Sequence, residues 1–356
     1  MGKIRVLVVE DSLTVRKRLV EVLNADPALE VVGEAEDGKT GIELCQRLRP
    51  DVVTLDMMLP VMTGLAATEY IMAYCPTPII IVSASTNRGE LFRTYEALAA
   101  GALDVLEKPT GEESDDDWER KLVAAVKLVS RIKVITHPRA RLGLSRLAPF
   151  SAPSNGKPMT PPERRLIAIG ASTGGPSAVC SILRALPTHF PLPILLVIHI
   201  GRPFATGLAE WLDGESNLRV SYAKDGELVP GPGEPRVIMA PPDVHLTVAQ
   251  GKLRLVNDAE RHSCKPSVDV LFESVARDYG NRSIACLLTG MGRDGAAGLL
   301  AIRRCGGMTI AQDEATSVVY GMPREAFLLG AAESVLPLDQ VAPALMAAAG
   351  HERRAR

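Results

Sequence analysis

Five short apolar runs within the first 110 residues, KIRVLVVE, EVVGEAED, DVVTLDM, PIIIVSAS and DVLEKP, are each parted from the next by one stretch of helical character. In the first such stretch Val15, Leu19, Val22 and Leu23 fall on one helical face. Strands separated by single helices imply parallel β-α units, with helices on both sides of one sheet. A last helix near DWERKLVAAVKLVSRI closes this unit. From about Lys133 to Pro162 the pattern dissolves. Pro138, Pro149, Pro153, Pro158, Pro161 and Pro162 share that stretch with many arginines and no sustained period, as in an exposed linker. The rhythm resumes at RRLIAIG and continues through LIAIG, PILLVIH, LRVSYA, RVIMA, SIACLLT and MTIAQ, while HLTVAQGKLRLV reads as an inserted hairpin. The expected fold class is α/β, with two doubly wound parallel-sheet domains joined by a flexible linker. The expected bounds are 1–125 for the first domain, 126–163 for the linker and 164–350 for the second domain.

A chain of 356 residues is too long for one ordinary core, which agrees with two domains. Its formal charge of −2 lacks the basic excess of a nucleic-acid or acidic-membrane binder. Six scattered cysteines, Cys45, Cys75, Cys180, Cys264, Cys286 and Cys305, form no C-x-x-C pair and fit reduced thiols better than a disulfide frame or a zinc site. The longest apolar stretch, PLPILLVIHI, falls well short of the roughly 20 residues that span a bilayer. The N-terminal MGKIRVLVVEDS has an acidic pair where a signal peptide would continue its apolar core. These features predict a cytoplasmic protein with no membrane insertion.

Glu10 and Asp11 end the first predicted strand, Asp56 the third, Ser83 the fourth and Lys108 the fifth. The carboxyl ends of strands in an open α/β sheet meet at one edge, so these five side chains should converge in one crevice. Clustered carboxylates repel one another, and a hard cation with oxygen ligands, Mg²⁺ above all, relieves that repulsion. A lysine and a hydroxyl facing such an ion suit a phosphoryl group with spread negative charge.

The segments LVVEDS, DVVTLDMMLPVMTG, PIIIVSAS and LEKP resemble the response-regulator receiver domain, which is flavodoxin-like, over essentially all of residues 1–125. The resemblance implies Asp56 as phospho-acceptor, with a histidine kinase as phosphodonor. It implies Mg²⁺ held by Asp11, Asp56 and the backbone carbonyl of Met58, with Glu10 assisting through water. Lys108 would pair with the phosphate and Ser83 would be the switch hydroxyl. The family usually carries an aromatic residue three positions before the lysine. Here that place is Val105, which leaves Ser83 and its loop as the better relay.

The stretch GASTGGPSA follows the first strand of the second domain and admits three readings. A phosphate-cradling turn would offer backbone N–H groups at a helix N-terminus, but neither G-x-G-x-x-G nor G-x-x-x-x-G-K-[ST] is present. A tight turn without chemistry would let a helix pack on its strand. A nucleophile turn would match Gly170-Ala171-Ser172-Thr173-Gly174 to G-x-S-x-G, with Pro176 at the first helical position. A serine hydroxyl needs a base to take its proton and a third group to hold that base. Of the six histidines, His199 terminates a strand. His137 and His351 sit in the linker and tail, His189 and His245 neighbour turn prolines, and His262 precedes SCKP without a metal-type cluster. Asp294, in LLTGMGRDGAAG, lies just past another strand. Ser172, His199 and Asp294 should therefore meet at one sheet edge.

IGASTGGP, VIH, MAPPDVHL, CKPSVDVLFESVA and LLTGMGRDGAAGL resemble the catalytic domain of the chemotaxis methylesterases, over residues 164–350. This resemblance implies a Rossmann-like hydrolase domain with Ser172 as nucleophile, His199 as general base and then acid, and Asp294 as the group orienting the imidazole. Thr173 and Met291 occupy the family's active-site flanks, and backbone N–H groups in these two glycine turns are the expected oxyanion donors. The implied activity is demethylation of glutamyl methyl esters and deamidation of glutamines on methyl-accepting chemoreceptors, activated by phosphorylation. Hydrolysis would need no cofactor, Mg²⁺ serving the receiver alone, and the protein would act as a monomer. A non-catalytic response regulator, whose second domain binds a nucleotide or a protein, is the competing reading.

Overall fold

The computed structural model describes residues 2–84, 87–108, 115–132 and 163–350. Residues 133–162 of the predicted linker and the C-terminal tail from 351, with His137 and His351, lie outside them.

The N-terminal domain runs β1 (Ile4–Val9), α1 (Leu13–Ala25), β2 (Leu29–Ala35), α2 (Gly38–Leu48), β3 (Val52–Leu55), α3 (Gly64–Tyr74), β4 (Ile79–Ser83), α4 (Arg88–Ala100), β5 (Asp104–Glu107) and α5 (Asp115–Val129). Its five strands are all parallel, in the order β2-β1-β3-β4-β5. Alternation along β1 sorts the core into two layers. Val6 and Val8 join Leu19, Leu23, Leu122 and Val126 on one face, while Leu7 and Val9 join Ile42, Ile71 and Tyr95 on the other. Helix starts are set by side-chain caps: Ser12 accepts from Val15 N–H, Asp37 from Thr40 N–H and Asn87 from Glu90 N–H. The buried Val126 and Val129 of α5 pack in this domain's core, so the unit continues past the expected boundary at 125.

The C-terminal domain runs β6 (Leu166–Ala171), α6 (Gly175–Ala185), β7 (Ile194–Ile198), α7 (Arg202–Ala205), α8 (Leu208–Glu215), β8 (Arg219–Tyr222), β9 (Arg236–Met239), β10 (His245–Ala249), β11 (Lys252–Val256), α9 (Val268–Tyr279), β12 (Ser283–Leu287), α10 (Ala296–Arg304), β13 (Met308–Gln312), α11 (Met322–Leu328), β14 (Ser334–Leu336) and α12 (Leu338–Ala348). Seven parallel strands form one sheet, β14-β13-β12-β6-β7-β9-β8, and β10-β11 form the separate antiparallel hairpin. Every residue of β6, β7 and β12 is buried, as suits strands covered by helices on both faces and written as continuous apolar runs. The chain enters at β6, builds β7 to one side and later crosses to β12 on the other. The carboxyl ends of these three strands therefore open on the crevice where doubly wound sheets place their chemistry.

The domains touch through α4, which packs on α6 and α8. Tyr95, with no exposed surface, donates its hydroxyl hydrogen to the Phe204 carbonyl and sets its ring 5.4 Å from that of Trp211. Arg88 pairs with Glu210 at the rim, and Val318 packs against the N-terminal core. Among the described residues no helix is long and apolar enough to cross a membrane.

Candidate active site

Ser172 is the first residue after β6 and sits half-buried in the turn into α6. Its N–H donates to the Thr289 carbonyl at 3.0 Å, and its own carbonyl accepts from Gly175 N–H at 2.6 Å. The turn closes on Gly174, whose φ of 75° places it in the left-handed region that a side chain strains. Pro176 is the second residue of α6, one place later than predicted, where its missing N–H still costs no helical bond. The loop after β12 is clamped to this turn. Thr289 Oγ1 donates to the Thr173 carbonyl at 3.0 Å, and Thr289 N–H donates to the buried Gln312 side chain at 2.8 Å. Gly290 lies so close that a Cβ there would stand 2.6 Å from Ser172 Cβ and 2.4 Å from Met322 Sδ. The N–H groups of Thr173 and Gly174 on one side, and of Met291 and Gly292 on the other, find no acceptor among the described residues.

His199 follows β7, its N–H donating to the Ala171 carbonyl at 3.0 Å and so extending the ladder beside Ser172. Its Nε2 lies 3.0 Å from Asp294 Oδ2, off the line of the ring N–H, so charge holds the pair more than hydrogen-bond alignment does. Asp294 follows β12 and is 2% exposed. It also accepts from Ser267 Oγ at 2.8 Å, Val268 N–H at 2.7 Å and Asp269 N–H at 3.1 Å. A carboxylate at the N-terminus of α9 gains from the helix dipole as well. Burial opposes ionisation of Asp294, yet the His199 ring and these donors outweigh it and hold its pKa below the ordinary carboxylate value. Burial likewise opposes protonation of His199, but Asp294 and the Cys264 side chain prevail and raise its pKa to about 9.

Thus the structure brings His199 and Asp294 into contact and places Ser172 at the end of the strand between theirs. The Ser172 hydroxyl and the imidazole are not hydrogen-bonded to each other. The two ring nitrogens face Asp294 and Cys264 Sγ, the latter 3.6 Å from Nδ1. Catalytic hydrogen bonds often tighten only when substrate is bound. Met291 is 59% exposed on the cleft, which Cys264, Arg293 and Glu325 also line.

Several participants escaped the sequence reading. His262, read there as standing without a metal-type cluster, accepts from Arg293 Nε at 3.2 Å and lies 3.2 Å from Asp269, beside Asp294. His245, set aside as a neighbour of turn prolines, is fully buried and accepts from Ser267 N–H at 3.0 Å, fixing the residue that caps Asp294. Nothing in the spacing of HSCKPS signals that these groups meet across a loop. The pairing of Ser267 with α9, by contrast, was open to a capping argument.

In the N-terminal domain Glu10, Asp56 and Ser83 are buried, Asp11 is exposed, and Lys108 Nζ bridges Glu10 at 2.9 Å and Asp56 at 3.0 Å. Asp56 Oδ1 also accepts from Met57 N–H at 2.7 Å. Burial, with Asp56 adding to it and Lys108 opposing, raises the Glu10 pKa to about 7, and burial raises that of Asp56 as well. Burial lowers the Lys108 affinity for its proton, but the two carboxylates more than restore it, so its pKa is raised. One carboxylate oxygen from each of Glu10, Asp11 and Asp56 lies within 4.8 Å of the others, and Ser83 Oγ is buried with no hydrogen-bond partner among the described residues. An all-oxygen donor set with one exposed member fits a hard divalent cation. Met58 stands beside Asp56, with its side chain 43% exposed.

A parallel α/β hydrolase domain fused to a phospho-acceptor domain defines a regulated signalling enzyme. Residues 6–115 match the family model for the response regulator receiver domain, and residues 167–345 match that for CheB methylesterase. A protein-glutamate methylesterase/protein-glutamine glutaminase of Nitrosospira multiformis is 45% identical over 345 residues, covering 96% of this chain and 96% of its own. A second, from Syntrophus aciditrophicus, is 44% identical over 352 residues, covering 98% of this chain and 99% of its own. The solved CheB methylesterase catalytic domain of Thermotoga maritima is 38% identical over 52% of this chain and 98% of that one, with a TM-score of 0.49. The chain belongs to the protein-glutamate methylesterase/protein-glutamine glutaminase family.

Proposed function

We propose that the protein hydrolyses γ-glutamyl methyl esters, and deamidates glutamines, on cytoplasmic segments of methyl-accepting chemoreceptors, under control of receiver phosphorylation. The observation that carries this reading is the His199–Asp294 pair, 3.0 Å apart, in the loops that follow the two strands flanking the strand of Ser172. Ser172 Oγ attacks the ester carbonyl while neutral His199 takes its proton, and the Asp294 carboxylate stabilises the resulting imidazolium. The oxyanion is met by backbone N–H groups of Thr173 or Gly174 and of Met291 or Gly292. The imidazolium then protonates the departing methoxide, methanol leaves, and water attacks the acyl-enzyme with His199 again as base. A glutamine presents the same carbonyl with ammonia as leaving group, so one site serves both reactions, and no step calls on a cofactor.

In the receiver, Asp56 takes a phosphoryl group from a histidine kinase. Glu10, Asp11, Asp56 and the Met58 carbonyl would hold Mg²⁺, which when bound neutralises charge on the transferring phosphoryl group. Lys108 then pairs with the phosphate in place of the Asp56 carboxylate, and the unpartnered Ser83 hydroxyl turns toward it. Phosphorylation replaces the single charge of the Asp56 carboxylate with an acyl phosphate of about two negative charges, a net gain of about one, beside the β4–α4 region, and α4 is the helix docked on α6 and α8. The Thr173 side chain approaches Asp104 of β5, so the docked receiver reaches the residue next to the nucleophile. Docking thus restrains the hydrolase and phosphorylation relaxes the restraint. The protein acts as a cytoplasmic monomer.

Incubating the protein with methyl-labelled receptor, with and without a phosphodonor, tests the reading through released methanol. Wild type should release methanol faster with phosphodonor, and Ser172→Ala, with unchanged circular dichroism, should release none above background. Full turnover by Ser172→Ala would overturn the hydrolase reading in favour of a binding domain.

A further inference from the structure

Cys264 touches the reaction centre, yet the hydrolysis gives it no task. Its Sγ is 3.6 Å from His199 Nδ1, and reciprocal backbone hydrogen bonds with Arg261, 2.9 and 3.2 Å long, hold its loop. One ring nitrogen of His199, the Cys264 sulfur and one carboxylate oxygen of Asp294 lie within 4.8 Å of one another. Zinc binds sulfur at about 2.3 Å and imidazole nitrogen at about 2.0–2.1 Å, so two such ligands on a tetrahedral ion stand about 3.6 Å apart. That is the observed Sγ–Nδ1 separation. Asp294 Oδ2 lies against the other ring nitrogen, Nε2, at 3.0 Å, so the imidazole and the carboxylate must turn toward the ion for Asp oxygen to reach it at about 2.0–2.2 Å. Asp294 already has the outer support that a metal-bound carboxylate needs, from Ser267 Oγ and two backbone N–H groups.

We propose that His199, Cys264 and Asp294 form a binding site for zinc, or a similar borderline-soft divalent cation, and that the bound ion inhibits the hydrolase by occupying the imidazole lone pair that must accept the Ser172 proton. The mixed nitrogen, sulfur and oxygen donors select zinc-type ions over Mg²⁺, which separates this site from the all-oxygen cluster of Glu10, Asp11 and Asp56. The fourth position faces the open cleft and takes water, as in other three-ligand zinc sites. The inhibitory half of this proposal rests on the hydrolase reading, whereas the binding half does not.

The test titrates full-length, chelator-stripped protein with Co²⁺ in a non-chelating reductant. A thiolate-to-cobalt charge-transfer band should appear in the near ultraviolet, saturate with one ion and be displaced by Zn²⁺. The band should vanish in Cys264→Ala and in His199→Gln and persist in Cys305→Ser, Cys305 being the exposed cysteine. Carboxylate sites such as the receiver's give no such band. In parallel, the zinc concentration that halves each protein's own metal-free methanol release should rise at least about tenfold in Cys264→Ala, the scale on which weakened metal sites lose affinity. Absence of the band in wild type, or an unchanged band in both folded variants, overturns the site. A band without zinc inhibition overturns the inhibitory role. A metal-free protein without turnover would sink the hydrolase reading while leaving the cobalt result to decide the site by itself.

Discussion

The hydroxyl of Tyr95 offers a measure of how tightly the receiver holds the hydrolase. It is buried, and it donates across the domain boundary to the Phe204 carbonyl. Tyr95→Phe keeps the ring against Trp211, 5.4 Å away, and removes only the links of the hydroxyl to the Phe204 carbonyl and the Gly207 backbone. In the docked state the Phe204 carbonyl is then stranded, whereas in a separated state water solvates it in either protein. A net hydrogen bond contributes about 1 kcal/mol, and a stranded acceptor costs about 1–3 kcal/mol. The docked state should therefore weaken by about 1–3 kcal/mol, about 5- to 150-fold in its equilibrium with the released state. Methanol release by unphosphorylated Tyr95→Phe should rise at least about fivefold, limited by the phosphorylated rate, which should match wild type. Stimulation by a small-molecule phosphodonor should shrink by the same factor. A well-folded Tyr95→Phe protein with wild-type basal rate and wild-type stimulation would refute the claim that docking through α4 restrains turnover.

Asp56→Asn should abolish stimulation by phosphodonor while leaving basal methanol release within about twofold, since distant sites with no shared partners couple by no more than about 0.5 kcal/mol. In chelator-treated protein, kcat/KM should climb with pH to a half-point near 9, because neutral His199 is the base and its pKa is raised to about 9. Asp294→Asn should move that half-point down toward the ordinary histidine value of about 6.5, and an unmoved half-point would mean another group controls the profile. Asp294 has a lowered folded pKa. Its stabilising contribution is therefore present above its unfolded value near about 3.9 and lost as pH falls through the lower folded one, so Asp294→Asn should flatten the acid limb of a stability–pH curve. Gly290→Ala would press a methyl group 2.4 Å from Met322 Sδ and 2.6 Å from Ser172 Cβ, which should cost about 1–3 kcal/mol of stability and slow turnover, read by thermal unfolding and methanol release.

The order of strands and helices was legible because parallel sheets covered on both faces write each strand as an unbroken apolar run. VVTL and ILLVI are examples, buried at every residue. The meeting of His199 with Asp294 followed from strand-end placement alone. The short β14 did not, since a three-residue edge strand carries little periodic signal. Nor did the contacts of Cys264, His262 and His245. They depend on how the loop between β11 and α9 folds back over the sheet edge, and side chains brought together by an irregular segment leave no repeat to read. Nothing in the residues around Tyr95 marks its hydroxyl for a partner. Only the docked partner turns its hydroxyl into a link between domains.

The carboxylate that steadies the imidazole is also the anchor for the first turn of α9, accepting from Ser267 and from the amides of Val268 and Asp269. Fraying of that turn frees those amides to exchange with solvent and, in the same motion, deprives the base of its counter-ion. Chemical competence and the local folding of one helix end are a single cooperative event, so deuterium uptake at Val268 and Asp269 should rise and fall with the fraction of molecules able to turn over.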